Sequence, residues 1–301
     1  MGGIQSTQKA KRSKNQQTTP CRLIPFLDVE VFQNVNDTCS LSGITCLTNG
    51  RIVVADYLGF NVKFYDWKRL QLLDAFQLYT QPYEVCKSAV EETEFFVSTP
   101  FEERILHFTS KGDSITLLRY IPTEGRCYGV ASFNKGLAVG LRVDKRNWQV
   151  EILDYNGRVM NVFKEDKDGA DLFGYADYLT VDANGRRLYV SDGVQNVVLC
   201  LDLHGASMTS IREIYRFVDP HLSVPKGLTL DDAGNVFVVG CETSNVHVIS
   251  PPGTSLGLVL GRRELLDNPM AIAFDVNERK MLVTEGSRKV MIFMESVCKP
   301  S

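Results

Sequence analysis

The sequence predicts an all-β protein, a six-bladed β-propeller, and two observations support this prediction. The first is an internal repeat of short strands and turns, which recurs at intervals of 41 to 49 residues along the 301-residue chain. The second is the composition, 44% hydrophobic and 23% charged, which is typical of a soluble globular protein with a substantial core. Repeats of this length that each form a four-stranded sheet are typical of propeller blades.

Residues 1–20 differ in composition from the rest of the chain and are predicted to be a disordered basic tail. They contain no acid, almost no apolar residue after Ile4, and four basic residues, Lys9, Lys11, Arg12 and Lys14. Such a segment cannot bury enough apolar surface to offset its chain entropy. Because the whole chain has a formal net charge of −3, the remaining body has a charge of −7 (−3 minus 4).

The first residues of the tail match the pattern for N-myristoylation. Gly2 follows the initiator Met1, and Ser6 stands at the required spacing. A single acyl chain binds membranes weakly, and a nearby basic cluster is the usual second signal. We therefore expect a cytoplasmic protein that associates with a membrane through acylated Gly2. The alternatives are a plain disordered leader and a basic nuclear signal.

Residues 21–301 are predicted to form one propeller, with blades that start near residues 41, 82, 127, 176, 225 and 269. An apolar, β-prone run at residues 22–32 precedes the first blade. The sixth repeat has no room for an outer strand before Ser301. We therefore expect the N-terminal run to pair with residues 290–293 and close the ring, which removes two free sheet edges.

Four copies of the repeat are clear, at residues 43–56, 178–192, 227–240 and 271–285. Each consists of a β-branched strand, a turn rich in Asn, Asp and Gly, and a second strand, which is the pattern of a β-hairpin. Two weaker copies, at residues 84–99 and 129–140, fill the interval between the first and second clear copies. A third strand follows each hairpin.

The eight cysteines occur singly, and no two are spaced as zinc ligands usually are. The N-terminus has no apolar run that could be a signal peptide. The cysteines are therefore predicted to be reduced thiols in an intracellular protein. No apolar stretch approaches the ~20 residues that a membrane-spanning helix needs.

Motifs within the repeats resemble the NHL repeats of TRIM-NHL proteins. Blades one, four and five show them best, as Val54-Ala55-Asp56 with Asn61, Val190-Ser191-Asp192 with Asn196, and Pro225-Lys226-Gly227-Leu228 with Asn245. The resemblance covers about residues 22–298, although blades two and three depart from the pattern. The Asp and Asn pairs are interpreted as structural, since both side chains readily hydrogen-bond loop backbone.

The resemblance implies a recognition module connected to the ubiquitin pathway. The RING and B-box that would make the chain itself a ubiquitin ligase are not expected, because residues 1–35 contain one cysteine and no histidine. Some TRIM-NHL propellers bind RNA, so the resemblance allows either a protein or an RNA ligand.

Other propellers of similar shape are metal-dependent lactonases, which hold a cation at the central pore. The corresponding candidates in this chain are Glu84, Asp177 and Asn268, each near the start of an innermost strand. The familiar hydrolase, protease and nucleotide-binding motifs are absent. The sequence therefore predicts no catalytic residue, no cofactor and no metal, with a lactonase-like hydrolase as the second alternative.

The predicted ligand-binding face consists of the loops that enter each inner strand and the loops that follow each second strand. Its candidate residues are aromatic or basic: Tyr57, Phe60, Tyr83, Phe101, Arg104, Arg126, Tyr128, Arg142, Lys145, Arg146, Tyr175, Tyr178, Lys226 and Arg288. Aromatic residues and arginines anchor protein interfaces, and they also stack with and neutralise single-stranded RNA. Acids in the same loops roughly cancel the basic charge, so a protein or peptide ligand, bound by a monomer, is favoured over RNA.

Overall fold

The computed structural model describes residues 23–30, 39–207, 210–261, 263, 266–286 and 289–295. These residues form 24 β-strands and two short 3-10 helices, Thr48–Gly50 and Pro100–Glu102. The strands make six antiparallel sheets of four strands each, arranged in a ring as a β-propeller. The predicted fold class is confirmed. The predicted basic tail lies outside the described residues.

Five of the six blades are meanders whose four strands pair in chain order, and the sixth takes its outer strand from the N-terminal end of the chain. Blade one consists of β2 (Leu41–Cys46), β3 (Arg51–Asp56), β4 (Asn61–Asp66) and β5 (Gln71–Gln77). Blade two consists of β6 (Val85–Lys87), β7 (Glu94–Thr99), β8 (Arg104–Lys111) and β9 (Ser114–Pro122). Blade three consists of β10 (Arg126–Phe133), β11 (Gly136–Arg142), β12 (Trp148–Leu153) and β13 (Val159–Phe163).

The second half of the ring repeats this arrangement. Blade four consists of β14 (Tyr178–Val181), β15 (Arg187–Asp192), β16 (Val197–Ser207) and β17 (Ser210–Phe217). Blade five consists of β18 (Pro225–Leu230), β19 (Val236–Gly240), β20 (Asn245–Ile249) and β21 (Ser255–Leu260). Blade six consists of β22 (Pro269–Asp275), β23 (Lys280–Glu285), β24 (Lys289–Glu295) and, as its outer strand, β1 (Leu23–Glu30).

The ring is closed by the N-terminal strand, as the sequence predicts. β1 pairs antiparallel with β24, with Leu23 opposite Glu295 and Val29 opposite Val290. This pairing supplies the fourth strand of blade six from the other end of the chain. The backbone groups along the outer edge of β24 are thereby paired with those of β1. A closed all-β architecture covers its strand edges in this way.

The core lies between neighbouring blades, because the second and third strands of each sheet are covered on both faces. Residues 52–55 in β3, Ile-Val-Val-Ala, are all buried, whereas most of β5 is at least partly exposed. Strands buried on both faces lose the alternation of apolar and polar residues. Stacked rings join neighbouring blades, for example Phe237 of blade five and Phe274 of blade six, whose centroids are 6.0 Å apart.

Turn residues and small residues set the geometry that the blades need. The Asp182 carboxylate accepts hydrogen bonds from the backbone N–H groups of Arg186 and Arg187, and Gly185 in the same turn has a φ of 66°. At Gly140 a Cβ atom would lie 1.8 Å from the carbonyl oxygen of Ala176, so only glycine allows blades three and four to approach this closely.

The propeller has two faces. The upper face is formed by the loops that enter each inner strand and by the loops that join each second strand to the third. The lower face is formed by the remaining two sets of loops. Among the described residues no helix has the length and apolar character needed to cross a membrane.

Candidate functional site

All the predicted ligand-face residues that the structure describes belong to the upper face. They occupy its loops or the strand ends next to them, from Tyr57 after β3 to Lys226 at the start of β18. Most come from blades one to four, and Lys226 is the contribution of blade five. Arg288 lies outside the described residues, as does the proposed acylation site Gly2.

Five aromatic side chains form a connected path across the upper face, which we call the aromatic surface: Tyr57, Tyr83, Tyr128, Trp148 and Tyr175. The ring centroids are 6.3 Å apart for Tyr57 and Tyr83, and 5.1 Å apart for Tyr83 and Tyr128. The path continues with 5.1 Å from Tyr128 to Trp148 and 4.9 Å from Trp148 to Tyr175. Edge-to-face and tilted contacts at these distances are favourable beyond the area they bury. The surface spans the top of blades one to four.

Trp148 is the member of the aromatic surface that the sequence analysis missed. It is the first residue of β12 and is only 6% exposed, while its neighbour Tyr175 is 41% exposed. Its place at the start of a third strand is equivalent to that of Arg104 at the start of β8, which was predicted. The signal that could have found it is the position itself, directly after the upper-face loop of blade three.

Three arginines lie over aromatic rings beside the aromatic surface. The guanidinium carbon of Arg142 is 5.7 Å from the ring centroid of Tyr128, and that of Arg126 is 5.0 Å from the centroid of Phe101. Arg104 lies 4.1 Å from the centroid of Tyr120 and also forms a salt bridge with Glu102. Cation–π contacts of this kind hold the guanidinium groups in place at the surface.

The remaining predicted residues have separate environments. Phe60 has a φ of 53° and lies in a turn where its carbonyl accepts a hydrogen bond from the Gln77 side chain. Lys145 and Arg146 are exposed in the loop after β11. The Asp144 carboxylate shapes this loop by accepting hydrogen bonds from the N–H groups of Arg146 and Asn147, which lower the pKa of Asp144.

A network of buried and half-buried polar side chains crosses the upper end of the central channel. The hydroxyl of Tyr178 in blade four donates to the carbonyl oxygen of Ser42 in blade one, at 2.8 Å. Asp177 Oδ2 accepts from the Tyr83 hydroxyl at 3.1 Å and from Lys226 Nζ at 2.6 Å. Burial raises the pKa of both tyrosines well above the usual value. We call Tyr83, Asp177, Tyr178, Lys226 and the carbonyl of Ser42 the channel plug.

Glu84 links three blades from the same level of the channel. Its carboxylate accepts hydrogen bonds from the N–H of Val130 at 2.6 Å and from the N–H of Leu179 at 3.4 Å. Burial raises its pKa well above the usual range, and the two amide donors offset this effect in part. Glu84 thus joins blade two to the inner strands of blades three and four.

The three candidate metal ligands do not form a metal site. The Asp177 carboxylate is paired with the Lys226 ammonium, and the Glu84 oxygens accept backbone hydrogen bonds. Asn268 is in an exposed loop, where its amide donates to Asp267. Within the described ranges, no group of three or more His, Cys, Asp or Glu side chains is placed to hold a metal ion. Asp177 thus belongs to an internal ion pair, in which the Lys226 ammonium group is the cation.

The Asp and Asn pairs of the repeat hold loops in shape, in agreement with their structural interpretation. Asp56 accepts hydrogen bonds from the N–H groups of Ser40 and Gly59 and from Lys63 Nζ, at 2.8 to 3.0 Å. Asp192 accepts from the N–H of Gly174 at 2.6 Å, as well as from two amides in its own loop. These carboxylates therefore stabilise the upper-face loops.

Exposed apolar side chains concentrate on the upper face. The described residues of its loops include seven large hydrophobic residues that are exposed: Leu58, Tyr79, Phe101, Val143, Tyr175, Val194 and Val218. The described lower-face loops contain three: Leu70, Val90 and Val276. Because exposed apolar groups that cluster are typical of interaction surfaces, this asymmetry favours the upper face as the functional one.

A cavity lies along the central channel, and Tyr178 of the channel plug is among its lining residues. It has a volume of about 1040 Å³ and is lined by the inner strands of the ring together with the lower loops of blades four and five. Much of its wall is strand backbone, and the Arg187 guanidinium beside it donates to the carbonyl of Pro251.

No protein-family model matches the chain, and no curated protein sequence matches it. Solved structures do match. A luciferin-regenerating enzyme superposes with a TM-score of 0.68 at 15% identity, covering 90% of this chain and 96% of its own. The Cps50 (Swd1) β-propeller domain of Myceliophteria thermophila gives 0.60 at 12%, covering 85% and 83%.

A third solved structure is a catalytically inactive virginiamycin B lyase from Staphylococcus aureus with quinupristin. It superposes with a TM-score of 0.58 at 13% identity, covering 90% of this chain and 89% of its own. At such low identity these likenesses show the fold alone, which proteins of different functions share. The chain is therefore a six-bladed β-propeller, and its resemblance to NHL repeats stays a prediction.

Proposed function

We propose that this propeller is a non-enzymatic binding platform that holds a segment of another protein on its upper face. The observation that supports this most is the aromatic surface, a connected path of five rings across blades one to four. Tyrosine and tryptophan supply large contact areas at a low cost in conformational entropy, which is why they dominate interface hot spots. The propeller is a common scaffold for this role.

The shape of the site favours an extended ligand over a small molecule. The hydrogen bonds of the channel plug join blade four to blades one, two and five at the upper end of the channel, and we infer that the upper face offers a broad floor to its ligand. Small-molecule sites are usually concave and bury most of the ligand. The rings instead lie side by side across four blades, an arrangement that suits several side chains of one peptide.

The environment of the channel acids supports a binding role over a lactonase-like one. A lactonase-like mechanism would need Glu84 and Asp177 to bind a cation, but Asp177 is paired with Lys226 at 2.6 Å. An ammonium group at this place repels a divalent cation. Two of the similar structures are named as enzymes, yet their identity to this chain is 15% and 13%.

Single-stranded RNA is the second candidate ligand, and the arginines beside the aromatic surface are the observation in its favour. Arg142 lies over Tyr128, and Lys145 and Arg146 are exposed in the next loop. Stacked bases with cations at the phosphates would use this arrangement. Protein is favoured because the acids Glu103, Glu124 and Asp144 lie in the same upper loops, and the exposed aliphatic residues there offer RNA neither a stacking ring nor a cation.

The proposal extends to the setting in which the platform works. By resemblance to TRIM-NHL propellers, the bound segment would belong to a substrate presented to a separate ubiquitin ligase. We further propose that the protein is a cytoplasmic monomer that reaches membranes through an acylated Gly2. Gly2 lies outside the described residues, so this part rests on the sequence alone.

The experiment is a selection of 12-residue peptides from a random phage-displayed library on the immobilised 301-residue chain. Affinities of the enriched peptides are then measured for the chain and for two variants with similar exposure, Tyr175→Ala on the upper face (41%) and Val276→Ala on the lower face (42%). Loss of a hot-spot aromatic side chain costs about 2 kcal/mol or more, so Tyr175→Ala is expected to weaken binding about thirtyfold. Val276→Ala is expected to leave the affinity unchanged.

The proposal is wrong if the enriched peptides bind Tyr175→Ala as tightly as they bind the unaltered chain. It is also wrong if no peptide is enriched while a 12-residue oligouridine binds with an affinity that Tyr175→Ala reduces. That second result would replace the protein ligand with RNA.

A further inference from the structure

Two arginines occupy opposed positions of paired strands at the upper end of blade three. Arg126 begins β10, Arg142 ends β11, and the two residues are directly opposite in the pairing of these strands. Both side chains are half-buried. Like charges at directly opposite positions destabilise a pair of strands, so this placement has an energetic cost that something must offset.

Aromatic rings offset part of that cost and hold the guanidinium groups in position. Arg126 lies over Phe101 and Arg142 over Tyr128, at 5.0 and 5.7 Å from the ring centroids. In the part of the chain that the structure describes, neither guanidinium forms a salt bridge. Arg104, at the start of β8 in blade two, differs because it forms a salt bridge with Glu102 at 2.5 Å.

The acids closest in sequence to this arginine pair are engaged elsewhere or point to solvent. Asp144 accepts hydrogen bonds from two amides of its own loop, and Glu102 is taken by Arg104. Glu103 and Glu124 are exposed. The two half-buried guanidinium groups therefore retain their N–H donors for a ligand, at the edge of the aromatic surface.

We propose that Arg126 and Arg142 form an anion-binding pair that receives an acidic side chain of the bound protein segment. This inference rests on the proposed function and names the chemistry of its ligand, which is a carboxylate or a phosphate monoester next to apolar residues. Guanidinium groups bind both anions through paired N–H donors, and charge-assisted hydrogen bonds are the strong ones. The pair offers one anion site among the exposed acids of the same loops, an arrangement that suits a single acidic residue better than a repeating phosphate backbone.

The test repeats the peptide selection on charge-reversed chains. Arg126→Glu/Arg142→Glu reverses the pair, and Arg158→Glu is the control, because Arg158 is an exposed arginine in the lower-face loop of the same blade. Peptides selected on the unaltered chain and on Arg158→Glu are expected to be enriched in Asp and Glu beside an aromatic or aliphatic residue. Those selected on the reversed pair are expected to lose that enrichment. Circular dichroism of each variant checks the fold, and the milder Arg126→Gln/Arg142→Gln replaces the reversed pair if it fails to fold.

Affinities then measure the contribution of the pair. A hydrogen bond to a charged group contributes about 1.5–3 kcal/mol. Arg126→Gln/Arg142→Gln is therefore expected to lower the affinity for an acidic peptide about tenfold to a hundredfold. Glu124→Gln is expected to raise the affinity for the same peptide slightly, because it removes a neighbouring negative charge. Exchanging the acidic residue of the peptide for phosphoserine separates the two sources of the anion, since tighter binding assigns the site to a phosphate and weaker binding to a carboxylate.

Failure of this inference differs from failure of the proposed function. If enriched peptides depend on Tyr175 but show no acidic preference and bind Arg126→Gln/Arg142→Gln equally well, the anion-binding pair is wrong and the aromatic platform stands. If no enriched peptide depends on Tyr175, both are wrong. If oligouridine binds through Arg126 and Arg142 while acidic peptides do not, the site belongs to RNA.

Discussion

Replacing Lys226 by methionine tests the channel plug, because it removes the cation of a buried ion pair and keeps most of the side-chain volume. Lys226 Nζ is 2.6 Å from Asp177 Oδ2, and the two side chains are 15% and 4% exposed. After the substitution the Asp177 carboxylate keeps one donor, the Tyr83 hydroxyl at 3.1 Å, while its Oδ1 atom already has no hydrogen-bond partner. The variant therefore buries a nearly unpaired charge.

The size of the effect follows from this geometry. At 2.6 Å the gross attraction is about 6 kcal/mol for an effective dielectric constant of about 20, and removing one partner of a buried pair costs about 3–5 kcal/mol in practice. The unfolding entropy of a 301-residue chain is about 0.6 kcal/mol per kelvin, at ~2.1 cal/mol/K per residue. Lys226→Met should therefore lower Tm by about 5–8 °C, measured by circular dichroism during heating.

Two further variants show whether the charge is the cause. Asp177→Asn/Lys226→Met removes both charges and is expected to recover most of the lost stability. Lys145→Met removes an exposed lysine from an upper-face loop and should change stability by less than about 0.5 kcal/mol. The reasoning is refuted if Lys226→Met melts at the same temperature as the unaltered chain, or if the double variant is as unstable as the single one.

Three more predictions follow from the structure and the sequence. Tyr178→Phe removes the hydroxyl that donates to the Ser42 carbonyl across the channel, and should cost about 1–2 kcal/mol in urea unfolding; no loss would mean that this bond does not stabilise the ring. Burial raises the pKa of Glu84 above its unfolded value of 4.5, so its contribution to stability is fully present below that pH and is lost as pH rises toward the folded pKa. Glu84→Gln should therefore flatten the decline in stability as the pH rises above 4.5, and an unchanged profile would contradict the assignment. Mass spectrometry of the native N-terminus should find an acyl group on Gly2, and Gly2→Ala should move the protein out of the membrane fraction; an unmodified or acetylated Gly2 would end the membrane proposal.

The blades could be predicted because their signals are local. A β-branched strand, a turn with Asn, Asp or Gly, and a second strand specify a hairpin within about 15 residues. Residues 178–192 show this, since they form β14, the turn that Asp182 and Gly185 shape, and β15. Blades two and three depart from the NHL pattern and still form four strands each, because apolar strands and turns are enough for a blade.

The closure of the ring could also be predicted, although its two strands are far apart in sequence. The last repeat lacked an outer strand and the N-terminal run lacked a partner, so each supplied what the other needed. β1 and β24 pair as expected. This prediction worked because sheet edges must be covered, a requirement that holds whatever the side chains are.

The channel plug could not be predicted, because it depends on how the blades turn toward each other. Tyr178 and the carbonyl of Ser42 are 136 positions apart in the chain, and nothing local in either segment indicates their contact. Asp177 and Glu84 were considered as metal ligands, while Lys226 was placed on the ligand-binding face. The pairing of Lys226 with Asp177 becomes visible only when blades four and five are seen side by side.

The aromatic surface was predicted in part. Four of its five members were named from their loop positions, and the contacts that join them needed the structure. Trp148 was not predicted, yet it bridges Tyr128 and Tyr175. The opposed positions of Arg126 and Arg142 also required the strand register, which the sequence leaves open by one or two residues.

The most direct test of the binding surface uses the two tryptophans of the chain as reporters. Trp148 belongs to the aromatic surface, whereas Trp67 lies buried just after β4, at the lower end of blade one. In Trp67→Phe the fluorescence comes from Trp148 alone, and in Trp148→Phe it comes from Trp67 alone. Titration with an enriched peptide should change the emission of Trp67→Phe in a saturable way and leave that of Trp148→Phe unchanged. Saturable binding of the peptide to Trp67→Phe without any change in Trp148 emission would contradict the claim that the aromatic surface is where the ligand binds.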